Sequence, residues 1–487
     1  MRSSIATDAV KLSISKMITM AISMVTAMLL SRFRTLEEYG TYSQLLLVIN
    51  LVTTLFMVGL PGSINYFIGR AESKEEKERF ISVYYTLSTL NGFISGLALV
   101  LSVPIIISYF ENPLINNFIY YIAVIPWTKI IMAGIDNLLI VYHRTTRVMM
   151  FRTLNSLSIL GTIVFVQLLD LSFSIYMILF TIVEAAFTVA VYLITRNTAG
   201  KFSISFDRRI IKSILSFSVP LGLASVVGIL NIELDKLLIG RFFSTEDLAI
   251  YSNAAKELPA TIIAGVITTV LMPRLVVLLK NNDNKKAISL WGSSIVISYA
   301  IICFFAAGLF VFAPEAISFL YSEKYIPGTG VFRIYSIVLL LRATYFGIIL
   351  NSTGKTKFIF YTSLVSLGMN FVLNYVFYLW LGFIGPAIAT FISIAFIQLL
   401  QLIATSIQLK VKFSAIFPWK ALGLLTFLNA LLGVGFATLK EIIPLGKYIG
   451  NVAQAFVLGT VWMIVYLAIT YRSIVKRWHI LNEKYTA

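Results

Sequence analysis

Long apolar runs separated by short polar segments set the pattern of this chain. A helix needs roughly 20 apolar residues to cross a bilayer. Windows of that kind lie near 10–31, 40–62, 81–108, 117–142, 149–169 and 174–195. A second set lies near 213–239, 248–272, 288–312, 332–351, 358–380 and 384–407, and two more near 417–438 and 449–471. The pattern predicts an all-α integral membrane protein of about fourteen spans with no soluble domain. The first window, Val10–Leu30, is too long for the apolar region of a signal peptide. Leu29-Leu30-Ser31-Arg32 also lacks a small-residue cleavage site, so a retained first span is expected.

The loops carry a second pattern. Of 39 Lys and Arg, 27 fall in the two termini and the loops after spans 2, 4, 6, 8, 10 and 12. The opposite loops hold six, Arg32, Arg34, Arg241, Lys324, Lys440 and Lys447, and six more lie within or at the edges of spans. Positive charge collects on the cytoplasmic side of membrane proteins, so both termini are expected there. A wrong span count would scramble the asymmetry, which makes it independent support for fourteen.

The chain also repeats itself. At an offset of 209, Arg32-Phe33, Glu37, Tyr42-Ser43 and Lys77 recur as Arg241-Phe242, Glu246, Tyr251-Ser252 and Lys286. At an offset of 210, Pro104, Ile107, Leu154 and Ser156-Leu157 recur as Pro314, Ile317, Leu364 and Ser366-Leu367. Each repeat holds six spans, an even number, so both halves enter the membrane in the same direction. The expected organisation is a six-helix lobe over 1–200, a second over 201–412, and two further spans with a tail over 413–487. This is transporter architecture.

Composition agrees with the pattern: 58% of the residues are apolar and 13% charged, against about 45–50% and 25% in soluble domains, and the mean hydropathy is +0.88. The formal charge of +17 sits in short loops without interleaved aromatics, so nucleic acid is not an expected partner. Cys303 stands alone in an apolar run, which leaves no disulfide framework. His143 and His479 lie apart in charged segments, and neither a metal nor another cofactor is expected. Asn351-Ser352-Thr353-Gly354-Lys355 lacks the first Gly and the flanking strand of a phosphate-binding loop. No enzyme signature is found.

Charged residues inside spans cost about 2.5–3.5 kcal/mol each on insertion scales, and those retained usually face a cavity or each other. Lys129, Glu184 and Arg342 lie nearest mid-span, and spans 4 and 10, which carry the two cations, are equivalents in the repeats. Closer to span ends are Lys16, Asp136, Glu233, Asp235, Lys236, Lys256 and Glu257. Asp136 follows Lys129 by seven residues, which places both on one face of a continuous helix, and Glu233 can pair with Lys236 three residues on. Lys16, Asp235, Lys236 and Lys256 have the alternative of snorkelling to the interface. Embedded cations suit an anionic substrate such as a pyrophosphate head. The substrate-binding candidates are Lys129, Arg342, Lys16, Lys236, Lys256 and Arg32. The ion-coupling candidates are Glu184, Glu233, Asp235 and Asp136. Asn50, Asn65, Asn91, Asn155, Asn231, Asn253, Asn370, Asn374, Gln398 and Gln401 add amides to the spans, as cavity lining or helix–helix glue. Pro61, Pro126, Pro220, Pro273 and Pro386 mark places where helices can break or bend.

Several stretches resemble the polysaccharide-transporter branch of the multidrug/oligosaccharidyl-lipid/polysaccharide exporter superfamily. They are Leu30-Ser31-Arg32-Phe33-Arg34-Thr35-Leu36-Glu37-Glu38-Tyr39-Gly40-Thr41-Tyr42 and Gly59-Leu60-Pro61-Gly62-Ser63-Ile64-Asn65. In the second half they are Ala313-Pro314-Glu315-Ala316-Ile317 with Tyr325, Gly354-Lys355-Thr356-Lys357, Asn370 to Asn374, and Gly382 to Thr390. The likeness covers roughly residues 10–407, and it departs at Leu248-Ala249, where the first repeat has Tyr39-Gly40. The resemblance implies a V-shaped pair of lobes that opens alternately to either side of the bacterial or archaeal cytoplasmic membrane. The implied substrate is an undecaprenyl-pyrophosphate-linked oligosaccharide of O-antigen, capsule or exopolysaccharide type, flipped with H⁺ or Na⁺ as coupling ion. The rival readings are a multidrug antiporter of the same superfamily, a membrane polysaccharide polymerase, and a non-transporting scaffold or lipid scramblase.

Overall fold

The computed structural model describes residues 5–256, 261–443 and 445–482, and among them every regular element is helical. The chain divides into two compact units, Met1–Ala249 and Ile250–Ala487. In unit 1, α1 (Ile5–Phe33), α2 (Leu36–Met57), α3 (Leu60–Arg70), α4 (Lys74–Leu101) and α5 (Val103–Phe110) come first. They are followed by α6 (Ile119–Ala133), α7 (Ile135–Val141), α8 (Thr145–Leu168), α9 (Phe173–Ala199) and α10 (Arg208–Phe242). The chain crosses into unit 2 along α11 (Thr245–Ala254). Unit 2 then holds α12 (Thr261–Lys280), α13 (Asn284–Val311), α14 (Ala313–Leu320), α15 (Thr329–Leu341) and α16 (Ile348–Ser352). It ends with α17 (Thr356–Leu381), α18 (Gly385–Leu409), α19 (Phe413–Ile416), α20 (Trp419–Ile442), α21 (Gly446–Ile449) and α22 (Asn451–Asn482).

Eleven stretches of the described residues are long and apolar enough to cross a membrane, and one of them, Thr356–Leu409, holds both α17 and α18. The two remaining expected windows fall on interrupted helices. The window near 248–272 includes residues 257–260, Glu257 among them, which lie outside the described residues. The window near 332–351 is broken between α15 and α16 at Arg342–Gly347. All-α membrane architecture therefore holds, with spans that are less continuous than hydropathy implies.

The breaks have local causes. In unit 1, α2 opens on a capping box in which Thr35 Oγ1 accepts from Glu38 N and the Glu38 carboxylate accepts from Thr35 N. It closes at Val58 and Gly59, whose φ values of 48° and 68° are left-handed, and Pro61 opens the first turn of α3. Backbone carbonyls freed in lipid must find donors. Asn91 Nδ2 donates to Phe56 O at 3.0 Å and Asn137 Nδ2 donates to Pro61 O at 2.8 Å. In unit 2 the same device recurs: Gln398 Nε2 donates to Leu341 O at 2.6 Å, at the end of α15.

Small residues set the packing of α6 on α4 in unit 1. A Cβ at Gly96 would stand 2.3 Å from Ala123 O, and one at Gly92 would stand 2.8 Å from Trp127 Cα. Gly92 and Gly96, four apart on α4, thus let the backbone of α6 lie directly on α4. This packing fixes the rotation of the helix that carries Lys129. α10, which opens the second sequence repeat, packs on α2 and α3 within unit 1.

In unit 2, α20 and α22, the two spans outside the repeat, pack on α13. Polar groups tie them there. Tyr299 OH and Thr426 Oγ1 are 2.6 Å apart, Asn429 Nδ2 donates to Cys303 Sγ at 3.4 Å, and Tyr466 OH donates to Ala300 O at 2.8 Å. Phe436 and Trp462 stack at 5.3 Å. At one end of α20, Lys440 Nζ donates to Glu315 Oε1 on α14, and Glu315 is only 8% exposed. Removing one partner of a buried pair strands the other charge, at a cost of about 3–5 kcal/mol. Lys440→Ala is therefore expected to destabilise unit 2 by about 3 kcal/mol, seen as a lowered thermal midpoint of the detergent-solubilised protein. Lys440→Met with Glu315→Gln should recover most of that loss. A single variant as stable as the parent would show that the pair contributes nothing.

Candidate functional site

The polar residues of unit 1 converge from five helices. Lys129 sits one turn before the end of α6, and its Nζ donates to Asn50 Oδ1 on α2 at 2.6 Å. Glu184 on α9 is 9% exposed, and Asn155 Nδ2 on α8 donates to its Oε1 at 3.0 Å. Glu184 and, from α10, Glu233 both lie within electrostatic reach of the Lys129 ammonium, and Glu184 is also within reach of Arg152. Glu233 is itself paired with Lys236 at 2.7 Å, the local pairing expected from their spacing. The Asp235 carboxylate, on a residue 2% exposed, accepts from Lys236 N at 2.8 Å.

Tyr42, Tyr121 and Tyr176 all lie within electrostatic range of Glu184, and Arg34 acts on Tyr176. Arg34 is 8% exposed, and its Nη1 donates to Leu171 O at 3.1 Å. Sequence reasoning counted Arg34 only as a loop cation. Its signal was present: it sits two residues from the exposed Arg32, inside a motif stretch.

One expectation needs correction. α6 ends at Ala133 and α7 begins at Ile135, with Gly134 between them, so Lys129 and Asp136 lie on two helices rather than on one continuous helix. Gly134 leaves room for Tyr84, whose hydroxyl would stand 2.2 Å from a Cβ there. Asp136 instead accepts from Arg152 Nε on α8 at 2.9 Å, and Arg152 Nη2 also reaches Met132 O at 3.1 Å. Arg152 was missed as a site residue because it lies near the start of α8, where it reads as a loop charge.

The other candidates scatter. Lys16 on α1 and Arg32 at the end of α1 are exposed. In unit 2, Lys256 is exposed, whereas Arg342 is half-buried and caps α15 at the helix break. Asn370 and Asn374, both 1% exposed, meet each other along α17. Asn231 turns to its own helix and donates to Val227 O. Of the amides, Asn50 and Asn155 thus hold site charges, Asn91 and Gln398 serve helix breaks, and Asn231 bonds its own helix.

The arrangement has a simple electrostatic consequence. A cation and two carboxylates from three different helices share a low-dielectric space where charges interact strongly. Lys129 is held by an amide, with no direct carboxylate bond among the described residues. Any change in the charge of Glu184 or Glu233 alters the field at Lys129.

The family described as "Polysaccharide biosynthesis protein" matches residues 29–329. The teichuronic acid biosynthesis protein TuaB of Bacillus subtilis (strain 168) is 24% identical over 292 residues, which are 58% of this chain and 59% of that protein. The match thus spans less than two thirds of that relative's length. Among solved structures, the lipid II flippase MurJ in an inward closed conformation aligns with a TM-score of 0.76 and 15% identity, over 95% of this chain and 99% of that one. An inward-facing multidrug resistance MATE family transporter of the MOP superfamily aligns with a TM-score of 0.61 and 18% identity, over 83% and 99%. At these identities the two structures establish a common fold.

Proposed function

This chain belongs to the polysaccharide biosynthesis protein family, and on that footing we propose that it flips a lipid-pyrophosphate-linked oligosaccharide between the leaflets of the cytoplasmic membrane. The observation that carries the proposal is Lys129, a cation within a spanning bundle, bonded to Asn50 and within electrostatic reach of Glu184 and Glu233. A pyrophosphate is the kind of ligand for which an embedded ammonium is suited. In the state described here, Glu184 and Glu233 balance Lys129. Neutralising a carboxylate with a proton, or screening it with Na⁺, lowers the negative potential that competes with a substrate phosphate at Lys129. Recharging the carboxylate restores that potential and expels the phosphate. This exchange gives ion coupling without nucleotide hydrolysis. The charge asymmetry of the loops supports cytoplasmic termini, and an undecaprenyl carrier is the substrate class implied by the resemblance of the sequence motifs.

The test is leaflet accessibility of an undecaprenyl-pyrophosphate-linked oligosaccharide in proteoliposomes, with and without an imposed H⁺ or Na⁺ gradient. Gradient-stimulated movement is expected. Glu184→Gln, which keeps the shape of the side chain beside Asn155 but removes the charge, is expected to abolish the stimulation and leave slow downhill exchange. Wild-type movement that ignores both gradients would overturn coupling, and no movement with several glycans would overturn the flippase reading. A second reading, export of cationic drugs, draws on the buried carboxylates Glu184, Glu233 and Asp235. The same vesicles challenged with a lipophilic cationic dye separate the two.

A further inference from the structure

A cavity of about 450 Å³ opens at the end of unit 1 where α4 begins and α9 finishes. Lys74, Lys77 and Arg196 line it together with Tyr142, Asn197 and a single carboxylate, Glu72. Glu78, which pairs with Lys74 and lies against Gly200 of the lining, adds a second carboxylate, so three cations face two anions and the pocket keeps a net positive charge. Lys74 stands 3.7 Å from Glu78, a loose surface pair, and Arg196 is exposed on the last turn of α9. None of these groups belongs to the Lys129 constellation.

The surface below the cavity is equally specific. On α9, Ile182, Val189 and Leu193 are 57%, 51% and 57% exposed. Their spacings of seven and four residues put them on one face, and Arg196, three residues beyond Leu193, continues that face to the cavity. The apolar stripe therefore runs straight into a cation. On the other side, residues 200–207 are strapped to α4: Ser203 N donates to Ser82 Oγ at 3.2 Å and Ser205 N donates to Thr86 Oγ1 at 3.0 Å. The strap turns Phe202 inward onto Tyr85 and leaves Ile204 and Phe206 82% and 61% exposed. A charged pocket is thus flanked by outward apolar side chains that water would not favour.

We propose that this cavity is a headgroup site for an anionic phospholipid, whose phosphate Lys74, Lys77 and Arg196 hold while an acyl chain lies along Ile182, Val189 and Leu193. Charge complementarity selects the anion, and the continuity of the apolar stripe with Arg196 selects a lipid over a free ion. The interface end is the one at which the loop charges of the sequence collect, where anionic headgroups attract basic side chains. The assignment is independent of what the protein translocates.

Native mass spectrometry of the purified full chain in detergent, titrated with phosphatidylglycerol, phosphatidylcholine or inorganic phosphate, tests it. Each cation near an anionic surface is worth about a fivefold change in affinity. Lys77→Gln with Arg196→Gln should therefore weaken phosphatidylglycerol retention by roughly 25-fold and leave phosphatidylcholine unchanged. Leu193→Asn, which removes no charge, should shorten retention of the lipid alone. Equal retention of both lipids by the parent, or of phosphatidylglycerol by parent and double variant, overturns the proposal. Phosphate binding that the double variant loses and that lipid does not better would assign the pocket to a free anion and overturn the lipid assignment.

Discussion

Lys129→Ala is expected to reduce translocation of the lipid-linked oligosaccharide by roughly 100-fold, with the protein still inserted in the membrane. The magnitude follows from the bond removed: a hydrogen bond to a charged group contributes about 1.5–3 kcal/mol, and here the substrate would forgo it at its most desolvated point. The structure sharpens the expectation beyond simple removal of a cation. Asn50 loses its partner, and Glu184 and Glu233 lose the positive charge that balances them. Adding Glu184→Gln to Lys129→Ala is therefore expected to restore the thermal midpoint towards the parent without restoring transport. That split separates a substrate-binding lysine from one that only neutralises a buried acid. Parent-like transport in Lys129→Ala would remove the cationic-site argument, and stability lost with transport in both variants would assign Lys129 a structural role. Arg342→Ala, at the helix break of unit 2, is expected to lose transport likewise.

Gly222→Val should open the seam between α10 and the α2–α3 break. A Cβ at Gly222 would lie 2.6 Å from Val58 C and 2.9 Å from Gly59 N, and one at Gly59 would lie 2.5 Å from Ser218 O. The neighbours on both sides are backbone, so no side chain can swing away. Overpacking of this kind costs typically about 1–3 kcal/mol when the surroundings can adjust; here the whole of α10 must move. Ser218, fully buried in this seam, supplies the readout. A Ser218→Cys thiol should react slowly with a water-soluble maleimide in the parent and at least about tenfold faster with Gly222→Val, close to the population shift that about 1.4 kcal/mol produces. Unchanged labelling would show that α10 is not held by this packing. Because Glu233 rides on α10 within electrostatic reach of Lys129, the same variant should weaken gradient stimulation of transport, which ties the packing of the seam to the charge exchange.

The membrane-spanning, all-helical character was legible in the chain itself. Each spanning helix must satisfy its own backbone hydrogen bonds in lipid, so a local property, about twenty apolar residues, is enough to reveal it. Lys129 and Glu184 were legible for the same reason: a charge at mid-span is costly wherever the helix goes, and its presence needs no partner to be noticed. Proline and glycine at 59–62 marked a break that the structure places between α2 and α3.

The partners of those charges were decided only by the tertiary structure. In lipid, apolar helix faces are nearly equivalent, so hydropathy does not choose which face meets which neighbour. Small residues and a few hydrogen bonds do. Gly92 and Gly96 set α6 on α4, and this rotation sends Lys129 towards Asn50 and Glu184. Gly134 divides the helix that carries Lys129 from the one that carries Asp136, and Arg152, hidden among loop charges, bonds Asp136. Likewise α20 and α22, without counterparts in the repeat, find α13 through Thr426, Asn429 and Tyr466. Membrane insertion follows a sum over one helix, whereas pairing depends on residues as far apart in the chain as Asn155 and Glu184, or Ala300 and Tyr466, which meet only when helices pack. That difference separates what the chain determined alone from what the fold decided.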